Sequence, residues 1–200
     1  MSPREGRVTR NTNETEITAR LHLDGEGRAT VSTGLGMLDH LLESLARHAR
    51  FDLELSCRGD LHVDDHHTAE DCGVALGTAL CQALGDRAGI ERFGFAYAPM
   101  DEALARAAID ISGRPFACVS LGLEREWLGQ LSCENVPHVL SSLAAAARIT
   151  LHVDVLRGGN DHHRAEAAFK ACALALRAAV HPSGFDDVAS TKGSLGGDST

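Results

Sequence analysis

Apolar and polar positions follow two periods along the chain. Residues 17–23 alternate between apolar and polar side chains, the pattern of a half-buried strand. Residues 69–80 carry small or apolar side chains at i, i+4, i+7 and i+11, the spacing of the buried face of a helix. Segments of both kinds recur along the sequence, which predicts a protein with both strands and helices.

The pattern repeats about halfway along the chain. A shift of 96 residues places 66-HHTAE on 162-HHRAE, and the helical apolar positions behind each motif coincide. A shift of 98 places 38-LDHLLESLA on 136-VPHVLSSLA, so that His40 meets His138. These matches predict an internal duplication.

The N-terminal parts of the halves also match, at a shift of 88 residues. The alternating residues 17–23 fall on 105–111, and the turn 24-DGEG falls on 112-SGRP. Each half is therefore predicted to run strand, hairpin, strand, helix, strand, loop, helix. The predicted fold is α+β, with two similar lobes that each have a mostly antiparallel four-stranded sheet and two helices on one face.

The boundaries of the lobes follow from the repeat. Residues 1–92 form the first half-repeat lobe, and residues 93–182 form the second. Residues 183–200 are rich in glycine and serine and are predicted to be a polar C-terminal tail. Together they are expected to make one domain.

Composition narrows the class of partner and the compartment. The net charge of -9 argues against binding to nucleic acid or to anionic membranes. The six cysteines are scattered without a CxxC pair, which fits reduced thiols in the cytosol. The N-terminus has no signal-peptide pattern and no apolar run is long enough to span a bilayer. The expected location is the cytoplasm.

The repeated histidine motif predicts metal binding. His66 and Glu70 are four residues apart and His67 and Glu70 three, so these side chains are neighbours at a helix start. Imidazole with carboxylate suits Mn, Fe, Co, Ni or Zn better than Ca or Mg. Two structural alternatives are a solvated polar loop and a charged helix start. The duplicated candidate set is His40, His66, His67, Glu70, His138, His162, His163 and Glu166.

Longer segments resemble a known family, imidazoleglycerol-phosphate dehydratase of histidine biosynthesis. They are 10-RNTNETEI-17, 33-TGLGMLDHLLESLARH-48, 59-GDLHVDDHHTAED-71, 112-SGRP-115, 160-NDHHRAEAAFKA-171 and 190-STKGSL-195. The resemblance covers roughly residues 5–195.

The resemblance implies a reaction, a cofactor and an assembly. The reaction is dehydration of D-erythro-1-(imidazol-4-yl)glycerol 3-phosphate to 3-(imidazol-4-yl)-2-oxopropyl phosphate, and the hypothesis is that it passes through a metal-bound imidazolate. The cofactor is two Mn²⁺ per subunit. The assembly is a homo-oligomer of twenty-four subunits built from trimers, with active sites at subunit interfaces.

The resemblance also assigns residues. It makes the eight candidate ligands above metal ligands. It implies that the substrate contacts Glu14, His48, Arg92, Arg114, Lys170, Ser190 and Lys192. We expect further substrate contacts at His40, His66, Glu70, His162 and Thr191, and we expect Glu14, His67 and Glu166 to be catalytic.

Some of these positions have a structural alternative. Glu14, expected in the first strand, can also be an ordinary exposed strand residue. His48 has no counterpart in the second half, where Ala146 stands, and can simply favour the helix dipole at a C-terminus. Arg92, Arg114 and Lys192 are the expected phosphate binders, because guanidinium and ammonium groups suit phosphate. Any single arginine can also be a solvated surface residue, and it is the resemblance that favours the phosphate role for the set.

Two other functions use the same ligands. A metal-dependent hydrolase would turn over simple phosphate esters. A metal-storage or assembly protein would bind metal tightly but would not need the basic residues of a phosphate pocket.

Overall fold

The two halves of the chain contain the same series of main elements in a computed structural model that describes residues 3–193 and residue 195. The elements of the first half are β1 (Glu5–Asn11), β2 (Thr15–His22), β3 (Ala29–Ser32), α1 (Gly36–Ala49), β4 (Asp52–Gly59) and α2 (His66–Leu84). Those of the second half are β5 (Phe93–Met100), β6 (Ala103–Asp110), β7 (Phe116–Ser120), β8 (Trp127–Leu128), β9 (Leu131–Ser132), α3 (Asn135–Ala147), β10 (Thr150–Arg157) and α4 (Asp161–Ala179).

Each half builds a four-stranded sheet with the same strand order. The orders are β1-β2-β4-β3 and β5-β6-β10-β7, and β8 and β9 form a small separate pair. In the large sheets two of the three pairings are antiparallel, while β3 lies parallel to β4 and β7 lies parallel to β10. The α+β fold with two similar lobes is confirmed, and its sheets are mixed.

The predicted hairpins at 24-DGEG and 112-SGRP are wrong. The segment 24-DGEG connects β2 to β3, but these strands lie on opposite sides of β4 and do not pair with each other. The same holds for β6 and β7 on either side of β10. Alternation of apolar residues identifies a strand, but it does not identify the strand's neighbour. In the two large sheets the tight hairpins are instead β1–β2 and β5–β6.

The helices lie between the two sheets. Helices α1 and α2 cover one face of the first sheet, and α3 and α4 cover one face of the second. Across the middle, α1 packs on α4 and α2 packs on α3. The layers therefore run sheet, helices, helices, sheet, and the core is built mainly from alanine and leucine. None of the helices in the described ranges has the length and apolar character needed to cross a membrane.

Two equivalent glycines allow the edge strands to lie directly on the helices. A Cβ on Gly6 in β1 would stand 1.9 Å from the Ala79 carbonyl oxygen in α2. A Cβ on Gly94 in β5 would stand 2.0 Å from the Ala175 carbonyl oxygen in α4. Any side chain at either position would overlap helix backbone, so both halves use the absence of a side chain in the same way.

Candidate active site

The first cluster of potential metal ligands lies where α1 meets α4. His40 comes from α1, while His162 and Glu166 are one helical turn apart at the start of α4. The Glu166 Oε2 atom is 3.2 Å from His40 Nε2 and 3.3 Å from His162 Nε2. Ligand atoms of the three residues all lie within 4.8 Å of one another. This convergence of two imidazoles and one carboxylate is a donor set that suits a transition metal.

The second cluster repeats this arrangement where α2 meets α3. His66 and Glu70 come from α2 and His138 comes from α3, and their ligand atoms again lie within 4.8 Å of one another. His138 Nε2 is 3.2 Å from Glu70 Oε1. The His66 and His138 rings stack with their centroids 5.0 Å apart. The Asn135 side-chain oxygen is 3.0 Å from His66 Nδ1 and fixes the orientation of that ring.

Each cluster combines ligands from both halves of the chain. His40 of the first half joins the His162–Glu166 pair of the second, and His138 of the second half joins the His66–Glu70 pair of the first. The exchange follows from the packing of α1 on α4 and of α2 on α3. Neither half holds a three-residue cluster of its own among the described residues.

The two remaining histidines of the motifs lie outside these clusters. His67 Nδ1 is 3.0 Å from Asp60 Oδ2, and His163 Nδ1 is 2.7 Å from Glu102 Oε2. In each case the hydrogen bond to the carboxylate raises the pKa of the imidazole. On the other side of the His67 ring, Nε2 is 3.6 Å from Glu14 Oε1. An acidic side chain thus orients each ring, although neither histidine belongs to a metal-ligand cluster of its own chain.

Glu14 lies in the turn between β1 and β2, so its expected place within a strand is wrong. The Asp60 amide donates a hydrogen bond to the Glu14 carbonyl oxygen at 3.0 Å, which ties the turn to the end of β4. The Glu14 side chain is half-exposed. Its carboxylate is therefore accessible to a molecule bound beside His67.

Lys170 and His48 extend the first cluster along the α1–α4 contact. Lys170 Nζ is 2.6 Å from Glu166 Oε1, on the oxygen that does not face the histidines. Burial acts to raise the pKa of the Glu166 carboxyl, but hydrogen bonds from Lys170 and His40 outweigh it and lower that pKa to about 2. Burial, together with the Lys170 charge, lowers the pKa of His48.

The basic and hydroxyl residues expected at the substrate phosphate line one cavity of about 740 Å³. Its lining includes Arg92, Arg114, Ser190, Thr191 and Lys192. Arg92 makes two hydrogen bonds with the Asp110 carboxylate, at 2.7 and 3.1 Å, and a third to the Ala189 carbonyl oxygen at 2.6 Å. This last contact attaches the tail to the second sheet. Residues 194 and 196–200 of the predicted tail lie outside the described residues.

Two buried aspartates that the sequence analysis did not select position the segment 121–134. Asp161 Oδ2 accepts hydrogen bonds from the amides of Glu124 and Arg125, at 2.9 and 2.7 Å. Asp65 Oδ2 accepts one from the Ser132 amide at 2.6 Å. Each aspartate directly precedes a histidine motif, and this repeated DHH was the available signal. The segment reaches both clusters, since Arg125 lines a cavity of about 470 Å³ beside His40 and another beside His66.

Comparison with known proteins places this arrangement in a family. A sequence model described as imidazoleglycerol-phosphate dehydratase matches residues 33–176. The chain belongs to the imidazoleglycerol-phosphate dehydratase family. The match contains all six cluster residues, whereas Glu14 and Ser190–Lys192 lie outside it. Members of this family are hydro-lyases of histidine biosynthesis, and so is this chain.

Individual relatives cover nearly the whole chain. The imidazoleglycerol-phosphate dehydratase of Candida glabrata is 55% identical over 94% of this chain and 98% of its own length. That of Phytophthora nicotianae is 57% identical over 96% of this chain, which spans only 42% of that longer relative. The crystal structure of imidazoleglycerol-phosphate dehydratase from Staphylococcus aureus superposes with a TM-score of 0.81 at 34% identity, covering 90% of this chain and 99% of that one.

Proposed function

We propose that the chain dehydrates D-erythro-1-(imidazol-4-yl)glycerol 3-phosphate to 3-(imidazol-4-yl)-2-oxopropyl phosphate and water. The observation that carries this proposal is the pair of equivalent clusters, each with two imidazoles and one carboxylate, in a member of the dehydratase family. A substrate imidazole has two ring nitrogens, so an active site with two metal ions can bind one ion at each nitrogen.

The cofactor we propose is two Mn²⁺ per subunit. The cluster residues fit such an ion, because three converging nitrogen and oxygen donors leave coordination positions open for a substrate. Of the eight proposed ligands, His67 and His163 are turned away from the clusters of their own chain, and we propose that they complete sites on neighbouring subunits. When bound, the metal supplies Lewis acidity that favours the deprotonated, imidazolate form of the substrate ring.

The proposed acid–base groups are Glu14, His67 and Glu166. Dehydration removes a proton from one carbon and a hydroxyl from its neighbour, so the site needs a group that accepts one proton and a group that donates another. Glu14 and His67 are adjacent and accessible, which suits them to exchange protons with a substrate. Glu166 is held ionised by Lys170, which suits it to ligation and to accepting a hydrogen bond from a substrate hydroxyl.

The cavity of Arg92, Arg114, Ser190, Thr191 and Lys192 is proposed to bind the substrate phosphate. It offers guanidinium, ammonium and hydroxyl donors together, which is the chemistry that recognises a phosphate monoester. His48 and Lys170 are proposed to contact the same substrate. His40, His66, Glu70 and His162 would contact it from the clusters.

We further propose a cytoplasmic homo-oligomer of twenty-four subunits built from trimers. Two features support an assembly. His67 and His163 have no place in the clusters of their own chain. The outer face of the second sheet also carries exposed aromatic side chains, including Phe93, Phe95 and Phe116.

A turnover assay tests the proposed reaction. Chelator-stripped protein would be given imidazoleglycerol phosphate, before and after Mn²⁺ is added, and formation of the ketone product would be followed. We expect activity only with metal. Folded, metal-loaded protein that makes no ketone would contradict the proposal. Release of inorganic phosphate instead would indicate a hydrolase, and tight metal binding without any turnover would indicate storage.

A further inference from the structure

The two metal-ligand clusters are equivalent in their ligands but not in the charges beside them. One turn after Glu166 on α4 stands Lys170, whereas one turn after Glu70 on α2 stands Val74. On the facing helices, His48 of α1 corresponds to Ala146 of α3. Of the two cluster glutamates, Glu166 is therefore followed one helical turn later by a cationic residue, and Glu70 is not.

The lysine contacts the ligand carboxylate directly. Lys170 Nζ is 2.6 Å from Glu166 Oε1, while His40 and His162 face Oε2 of the same carboxylate. The Lys170 ammonium thus contacts one of the two Glu166 carboxylate oxygens. It places a positive charge next to the position that a metal ion would take in this cluster. Glu70 has no such contact with a lysine or arginine among the described residues, and its only ion-pair partner there is His138.

The charged residues that line the cavities beside the two clusters also favour a cation at the second cluster. The cavity beside His66 is lined by one arginine, Arg125, and four carboxylates, which belong to Asp64, Asp65, Glu126 and Glu134. In the cavity beside His40 and His162, Arg125 is again present, and Glu166 supplies the only carboxylate among the described lining residues. A divalent cation would thus meet a more negative surrounding at the second cluster.

From these contacts we infer that the two sites load in a fixed order. The cluster of His66, Glu70 and His138 binds its metal first and more tightly, and the cluster of His40, His162 and Glu166 binds second. The inference rests on the proposed function, since it presumes that both clusters hold metal. Because a like charge within a few ångströms opposes a cation strongly even at a partly hydrated site, we expect the dissociation constants to differ by at least about tenfold.

The order of loading determines which site limits activity. At limiting metal each subunit would hold one ion, bound by the cluster of His66, Glu70 and His138. Turnover would then rise only as the cluster of His40, His162 and Glu166 also binds metal. Metal binding and activity should therefore follow different curves in one titration.

The test is a titration of the metal-stripped protein with Mn²⁺, in which electron paramagnetic resonance measures the free ion. We expect two classes of site, one ion per subunit in each. His138→Ala should remove the tight class and His40→Ala should remove the weak class. A single class in the unmodified protein, or loss of the tight class in His40→Ala, would overturn the inference.

Removing the lysine beside one cluster, or adding a lysine beside the other, gives a second test that leaves every metal ligand in place. Lys170→Met should tighten the weak class by at least about threefold, and Val74→Lys should weaken the tight class by a similar factor. Val74→Met is the size control and should leave both classes unchanged. If Val74→Lys does not fold, Lys170→Met decides alone, and an unchanged weak class in that variant would refute the role of the ammonium.

The titration also separates this inference from the proposed function. Two equal sites would refute the order of loading and leave the dehydratase proposal intact. No binding of Mn²⁺ by folded protein would refute both, because the proposed metal chemistry would then have no basis in this chain.

Discussion

At the residue scale, the site depends on side chains that orient the ligands as well as on the ligands themselves. The histidines and glutamates of the clusters could be predicted from the sequence because the motif occurs twice with one spacing. Asp60, Glu102 and Asn135 could not, because each lies in a different element from the histidine that it contacts. A single acidic residue in a loop has no sequence signature of such a role.

Replacing Glu14 with glutamine should lower turnover by about 10²-fold or more, because an amide cannot accept or deliver the proton. Metal content should stay normal, since the His67 ring is hydrogen-bonded to Asp60, whereas Glu14 lies 3.6 Å from it, beyond hydrogen-bond distance. The measurement is kcat together with manganese per subunit. Glu16→Gln is the matched control, an exposed glutamate on β2. If Glu14→Gln keeps near-normal kcat, Glu14 has no part in proton transfer.

Replacing Asp60 with asparagine should weaken metal binding by about 10- to 100-fold, the usual effect of losing a carboxylate that orients a ligand histidine. The carboxylate lies 3.0 Å from His67 Nδ1 and raises the pKa of that ring. Competition with a chelator of known affinity would measure the change. Asp24→Asn serves as the control, because Asp24 pairs with Arg4. Equal affinities in the two variants would contradict this role.

At the element scale, the number and type of the main elements follow from the sequence, but the sheet order does not. Segment 17–23 had the right alternation for a strand, yet β2 pairs with β4, which follows some thirty residues later, and not with β3. Which strands pair depends on the tertiary structure, because β4 comes later in the sequence than β2 and β3 and lies between them in the sheet. The exchange of ligands between halves was missed for the same reason, because it depends on which helices pack together.

A close contact between strand and helix predicts the effect of a small substitution. Gly94→Ala should destabilise the fold by at least about 2 kcal/mol, because the added methyl would overlap the backbone of α4. Gly6→Ala should do the same at α2. Gly36→Ala, where no atom lies within 4 Å of the added Cβ, should change the free energy of unfolding little. Denaturant unfolding of the three variants would measure this, and equal midpoints would refute the steric argument.

At the scale of the whole molecule, the arrangement of the histidines connects metal binding to assembly. His67 and His163 each hold one ring nitrogen against an acid and turn the other away from the clusters of their own chain. If these rings complete sites on neighbouring subunits, metal removal would break contacts between subunits. The number of subunits itself has no signature in the periodicity of one chain.

Lowering the pH should release metal and dissociate the assembly, because histidine must be unprotonated to bind. The raised pKa of His67 and of His163 means that these rings take up protons at a higher pH than ordinary histidines. Loss of metal should therefore begin at a pH above the usual imidazole pKa and should be extensive below about pH 6. Light scattering with metal analysis between pH 8 and pH 5 would follow it. A large particle fully loaded at pH 5 would contradict the prediction.

The exchange of ligands between the two halves has a consequence for a protein made of one half alone. A protein made of a single half would carry one HHxAE helix and one partner histidine, but the two would not meet in one cluster, just as they do not within either half of the present chain. It could complete a cluster only by pairing with a second copy, and such a pair would have two identical sites. Two such copies joined in one chain would no longer have to keep identical sites, and each site could change alone. The present chain carries a lysine, Lys170, one turn after one cluster glutamate and a valine, Val74, one turn after the other.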